Sequence, residues 1–297
     1  MSVIISTLNR PAHLARCLDA LLEGTRLPSE IVIVDQGDEA ATLAILNARR
    51  DRGVQLVHVP QDRRGLSISQ NAGVGRARCA VVSIVDDDCV PDPHWVEVAT
   101  REHRRSSGRM LLGGRVLPLP PVGERTVPLA LRTSTTRRSF SRDALPWDVG
   151  TGGNFSVSRL AYLDVGGNDE RLGTGASGRA GNDLDLFRRL MRAGVETRYE
   201  PDLLVRHERA TPAENRDRSW TYGFGIGVCI VVWLSQGDRY AWRVLSSWLA
   251  MRLRFLAVAL LRRRKALNEA RVLLGTVHGI VHASTARTMK ASQGREL

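Results

Sequence analysis

Hydrophobic and polar positions divide the first half of the chain into strands and helices in turn. Residues 3–7 form a short β-branched run that Leu8-Asn-Arg-Pro11 breaks. Over residues 12–22 the apolar side chains Leu14, Leu18, Leu21 and Leu22 recur at the spacing of one helix face. Residues 30–35 read as a buried strand, Gln36, Gly37 and Asp38 turn out of it, and residues 40–50 are helical. A strand over 54–59, a helix over 67–76 and a fourth strand over 80–85 follow. Alternation at this spacing predicts an α/β fold with a mostly parallel sheet and right-handed crossovers.

Between Gly113 and Trp147 the period weakens, and the segment reads as an exposed, irregular excursion of the kind that carries specificity. Glycine turns at 150–154 and 166–170 and a flexible glycine loop at 173–181 lead into a helix over 182–192. Short strands at 195–199 and 203–205 then end at His207.

Chemistry enters with Asp86, Asp87 and Asp88, which stand directly after the fourth strand. Open α/β sheets place their ligands at that end of a strand. Neighbouring carboxylates repel one another unless a cation neutralises them, and hard divalent cations take carboxylate and phosphate oxygens together. The same triplet also reads as a solvated acidic turn, with Asp92 capping the next helix. Asn182 or Asp183, near the start of the helix over 182–192, can cap it.

Charge divides the chain unevenly. Residues 213–297 carry 14 Lys and Arg against 5 Asp and Glu, whereas residues 1–212 carry 29 against 26. This predicts one domain over 1–212 and a basic, apolar helical segment over 213–297. In that segment Trp242, Trp248 and Phe255 accompany Arg243, Arg252 and Arg254, and the basic run at 262–265 follows. Tryptophan prefers the lipid headgroup zone and arginine is drawn to anionic lipid, so peripheral binding at the cytoplasmic face of the cell membrane is expected. An ordinary helical subdomain packed on the core is the other reading. No run of 18 uninterrupted apolar residues is present, which predicts no membrane-crossing helix. The first residues lack a basic leader, which predicts no signal peptide. Cys17, Cys79, Cys89 and Cys229 form no C-x-x-C pair and fit a reducing cytosol. The basic charge comes with no recognition module, so no nucleic acid is expected.

Eight segments in order resemble family 2 glycosyltransferases of the GT-A fold, a Rossmann-like sheet flanked by helices. They are Val3-Ile-Ile-Ser-Thr-Leu-Asn-Arg10, Glu30-Ile-Val-Ile-Val-Asp35, Gly65-Leu-Ser-Ile-Ser-Gln-Asn-Ala-Gly73, Val85-Asp-Asp-Asp88, Gly152-Gly-Asn154, Val165-Gly-Gly167, Asn182-Asp-Leu-Asp-Leu186 and Tyr199-Glu-Pro-Asp-Leu-Leu-Val-Arg-His207. The resemblance implies a nucleotide-diphosphate sugar donor, Mn2+ or Mg2+, and a glycan or lipid-linked acceptor in polysaccharide or glycolipid synthesis. It assigns Thr7, Asn9, Asp35, Asn71, Asp86, Asp87, Gly153 and Asn154 to the nucleotide sugar. Asp88, Asp86 and His207 fall to the metal, and Asp183 to the general base of an inverting transfer. Asn182 stands where the family has Glu. That departure leaves a competing reading, an inactive transferase-like scaffold at a membrane surface. A nicotinamide enzyme is disfavoured because no glycine fingerprint follows the first strand.

Overall fold

The computed structural model describes residues 1–121, 126–261 and 266–293. Two compact units divide the chain. Met1–Glu170 and Asn182–Arg209 form one, and Arg171–Gly181 and Ala210–Leu297 form the other.

The first unit is built in the order β1 (Ser2–Thr7), α1 (Pro11–Leu22), β2 (Glu30–Asp35), α2 (Glu39–Asn47), β3 (Gln55–Pro60), α3 (Leu66–Arg76) and β4 (Val81–Val85). There follow β5 (Cys89–Pro91), α4 (Trp95–Arg104), β6 (Met110–Pro118), β7 (Arg138–Phe140), α5 (Pro146–Val149), β8 (Asn154–Ser158), α6 (Arg159–Asp164), α7 (Asn182–Arg192) and β9 (Glu196–His207). One sheet runs in the order β3-β2-β1-β4-β8-β6-β9-β5, and β7 also pairs with β9. This is the α/β sheet flanked by helices that the sequence predicts. The strands β1 to β4 are parallel, whereas β8 runs antiparallel to both β4 and β6.

Alternation along each strand sends neighbours to opposite faces. Val3, Ile5, Ile31 and Ile33 pack with Leu14, Leu18 and Trp95 of α1 and α4. Ile4, Val32 and Val34 pack with Val74, Tyr162, Leu186 and Phe187 of α3, α6 and α7. A sheet covered on both faces accounts for the continuous apolar runs of its strands.

Two expectations need correction. The weak pattern after Gly113 is not an exposed excursion at its start, because β6 carries buried backbone through residue 116. A Cβ on Gly113 would overlap the Val149 carbonyl oxygen, and one on Gly114 would overlap the Asn154 amide. Close approach therefore requires glycine there, and glycine erases the apolar signal of a strand. The two short strands before His207 are one strand, β9, with an irregularity where Gly114 pairs Glu200 and Arg115 pairs Leu204. Pro201 lies inside that irregularity and donates no hydrogen bond.

The second unit holds α8 (Pro212–Ser235), α9 (Tyr240–Leu261) and α10 (Ala266–Gln293). A full capping box of Thr211 and Glu214 opens α8. Gly223 and Gly227 of α8 and Gly275 and Gly279 of α10 leave no room for a Cβ against the facing backbone. The glycine loop 173–181 belongs to this unit, which a boundary at residue 212 leaves with the sheet. The loop is ordered by Gly178 N–H donating to the Arg171 carbonyl at 2.7 Å. The Arg179 guanidinium also lies 5.5 Å from the Trp220 ring centre.

The expectation of no membrane-crossing helix is revised. Among the described residues α9 is long and apolar enough to cross a membrane, by length and composition. Counting uninterrupted runs misses it because Arg252 and Arg254 break the run while the helix continues. Trp242 is exposed, but Trp248 is buried and donates its indole N–H to Thr276 Oγ1 at 3.0 Å. Arg252 stacks 4.1 Å over the Trp248 ring. The basic run at 262–265 lies outside the described residues.

Candidate active site

Parallel pairing sets the C-terminal ends of β2, β1 and β4 side by side, with Thr7 in register with Asp35 and Ile4 with Ile84. The acids past β4 therefore meet Thr7. Its hydroxyl donates to Asp87 Oδ2 at 2.8 Å. One guanidinium nitrogen of Arg10 lies 3.2 Å from Asp87 Oδ1 and 3.1 Å from Asp88 Oδ2. Asp87 and Asp88 are buried, which removes the reading as a solvated turn.

Burial pushes the Asp86 carboxyl up to about 8, and the charges of Asp88 and Asp87 push the same way. Burial also raises Asp87, against the pull of the Thr7 hydroxyl and Arg10. So much negative charge in one place is a demand for positive charge, and Arg10 meets part of it. Sequence reasoning missed Arg10. A cation just past the first strand was visible, but its pairing depends on the register of β1 with β4.

Two consecutive glycines bring a further acid to the triplet. A Cβ on Gly153 would overlap Asp86 Oδ2, and one on Gly152 would lie 3.2 Å from the Asp183 Cβ. Gly152 N–H donates to Asp183 Oδ2 at 2.8 Å. Asp183 stands in the first turn of α7, where its Oδ1 accepts the Leu184 N–H at 2.9 Å. It is both held by the helix start and presented beside Asp86. Burial raises its carboxyl, and the backbone N–H groups oppose the rise. A carboxylate raised in this way is the stronger proton acceptor. Asp185 is buried and bound by Arg189 Nε at 2.8 Å, so it offers no second base.

His207 closes the other side. Its Nδ1 is 2.6 Å from the Glu208 carbonyl oxygen, which only accepts, so Nδ1 donates there. Its Nε2 faces Asp88 Oδ1 at 3.5 Å. That oxygen is buried without a hydrogen-bond partner. An imidazole nitrogen and a carboxylate oxygen with no hydrogen bond of its own face each other, a pair of side chains that fits a divalent cation.

Other expected residues lie elsewhere or serve the frame. Asp35 accepts Gly37 N–H at 2.9 Å and lies 3.3 Å from His58 Nε2. Asn9, with φ of 54°, accepts the Asp38 N–H at 2.8 Å and fixes the turn after β2. Asn71 and Asn154 make hydrogen bonds within the protein. Asn154 accepts from Trp95 Nε1 at 2.8 Å and donates to the Arg115 and Leu203 carbonyls at 2.9 and 2.8 Å. Asn71 accepts from the Tyr162 hydroxyl at 2.7 Å and from Asn168 N–H at 2.8 Å, and donates to the Asn168 carbonyl at 2.9 Å. Asn154 is buried and Asn71 half-buried, and both satisfy these polar atoms within the protein.

The sequence profile of Glycosyl transferase family 2 matches residues 2–163 of the 297. The chain belongs to that family. It is 24% identical over 191 residues to the glucosyl-dolichyl phosphate glucuronosyltransferase of Haloferax volcanii, covering 58% of this chain and 57% of that protein. To the amylovoran biosynthesis glycosyltransferase AmsE of Erwinia amylovora it is 25% identical over 228 residues, covering 74% and 80%. The chain thus spans little more than half the length of the first of these. Mannosyltransferase PcManGT from Pyrobaculum calidifontis, solved in complex with GDP-Man and Mn2+, shares the fold. Its TM-score is 0.60 at 15% identity, covering 94% of this chain and 86% of that one. The glycosyltransferase sheet places the acid triplet, Asp183 and His207 at one end of β4, β8 and β9.

Proposed function

We propose that this family 2 chain transfers a sugar from a nucleotide diphosphate to an acceptor hydroxyl with inversion, on a site of Asp86, Asp88, His207 and Asp183. The observation that carries the reading is the unpartnered, buried Asp88 Oδ1 facing His207 Nε2, with Asp183 held on the Gly152 amide nearby. Asp88 and His207 would hold a divalent cation, with Asp86 beside them. When bound, such a cation supplies charge for the leaving diphosphate.

The chain's own groups do the rest. Thr7 and Asp35, at adjacent strand ends, border the space for the nucleoside. Arg10 orients Asp87 and Asp88. Asp183 takes the proton of the acceptor hydroxyl as that oxygen attacks the anomeric carbon, and the bond to the diphosphate breaks on the opposite side. One displacement needs one base, which gives inversion. A fold neighbour solved with GDP-Man and Mn2+ supports the donor class. The relative named for a dolichyl phosphate substrate supports a lipid-linked acceptor. The exposed apolar side chains of α9 and the basic surplus after residue 212 support work at the cytoplasmic face of an anionic membrane.

The experiment is donor turnover by the purified chain, with Mn2+ or Mg2+ and with chelator, beside calorimetry of nucleotide diphosphates. Metal-dependent turnover is expected, and Asp88→Ala should abolish metal-dependent nucleotide binding while the circular dichroism stays native. Nucleotide binding without turnover of any donor would favour the inactive scaffold. Unchanged binding in Asp88→Ala would remove Asp88 from the site.

A further inference from the structure

The residues that fit a cation leave Cys89 unused. Cys89 opens β5 and stands directly opposite His207 of β9 in the antiparallel ladder. Directly paired residues send their side chains to the same face. Asp88 precedes Cys89 in the turn out of β4. The Cys89 Sγ, an Asp88 carboxylate oxygen and a His207 ring nitrogen all lie within 4.8 Å of one another. All three residues are more than nine-tenths buried, at 1%, 8% and 6% exposure.

Each of the three has an electron pair to give. Asp88 Oδ1 has no hydrogen-bond partner among the described residues, and His207 Nε2 faces it at 3.5 Å. The nearby Cys17 thiol is committed, since it donates to the Asp86 carbonyl at 3.7 Å. Among the described residues no such hydrogen bond holds the Cys89 thiol.

We propose that Cys89 is a third, sulfur ligand of the cation site formed by Asp88 and His207, so that the site prefers zinc or cobalt to magnesium. This rests on the reading of Asp88 and His207 as cation ligands. Magnesium keeps oxygen ligands and several waters, whereas zinc and cobalt accept imidazole and thiolate readily. The thiol proton passes to solvent as the sulfur–metal bond forms. Magnesium would leave the sulfur protonated and use only the oxygen and nitrogen. The acid triplet then selects a divalent cation, and the residue after it selects which kind.

The test is titration of the full chain with Co2+, followed by calorimetry and by the near-ultraviolet sulfur-to-cobalt charge-transfer band. The wild type should bind cobalt and show the band. Cys89→Ser should lose the band and bind cobalt and zinc roughly tenfold or more weakly, with its magnesium affinity unchanged. A variant combining Cys17→Ser, Cys79→Ser and Cys229→Ser leaves Cys89 as the sole thiol. It should retain the band, which keeps the assignment testable should serine at 89 impair folding. Cobalt bound without the band, or a band unchanged in Cys89→Ser, overturns the sulfur ligand and leaves the Asp88–His207 site standing. Absence of cobalt binding to the wild type overturns both.

Discussion

Gly153 and Asp86 are in contact, and the Asp86 N–H donates to the Gly153 carbonyl at 3.4 Å. A side chain at 153 would occupy the place of Asp86 Oδ2. Gly153→Ala must therefore displace the carboxylate or the turn before β8. An overpacked site of this kind costs about 1–3 kcal/mol. The displaced acid should lower kcat/KM on the order of a hundredfold, the scale of a misplaced catalytic group. Thermal melting and donor turnover on the same preparation check both numbers. Native activity would show that Asp86 is not confined by this contact.

Asp183→Asn keeps one oxygen to accept from the Gly152 N–H, gives up the Leu184 N–H bond, and has lost its basicity. Transfer should fall on the order of a hundredfold or more. Nucleotide affinity should stay near native, because the base meets the acceptor. Near-native turnover in this variant would place the base elsewhere. Asp185→Asn should differ in kind, since removing the partner of Arg189 acts on stability.

His103 makes a separate, pH-linked prediction. It is buried with Nε2 2.8 Å from Ser156 Oγ, and burial holds its imidazole down at about 4. An unfolded histidine titrates near 6.5. Between these values the unfolded chain takes up a proton that the folded chain refuses. Stability from this group is full above about 6.5 and is lost as pH falls towards 4. The slope of Tm against pH over that window should be shallower in His103→Gln than in the wild type. Parallel slopes would show that another group governs the acid limb.

The helical unit predicts membrane behaviour. Trp242 is 59% exposed, Leu260 61% and Leu261 84%, on a helix of membrane-spanning length. Anionic lipid attracts each nearby arginine by roughly 1 kcal/mol. The intact protein should sediment with anionic vesicles, bind neutral ones weakly, and be released by salt. Binding that resists salt would mean an inserted α9 instead. Equal binding to both vesicle types would remove the electrostatic part.

The sequence determined the sheet's parallel half, the family, and the position of the acid triplet, because buried strands and strand-end acids leave continuous local signals. Asp183 was legible from a motif beside a glycine loop. Local signals failed where contact does the work. Gly113 and Gly114 look like breaks in a pattern and are strand residues pressed against Val149 and Asn154. The internal bonds of Asn71 to Tyr162 and of buried Asn154 to Leu203 leave no local trace either. Arg10, Asp88 and His207 are 78 to 197 positions apart in pairs, and only strand register makes them neighbours. Which polar atoms are left without a partner is a property of the packed whole. No stretch of sequence encodes it, because each atom's partner is decided by every strand and turn around it.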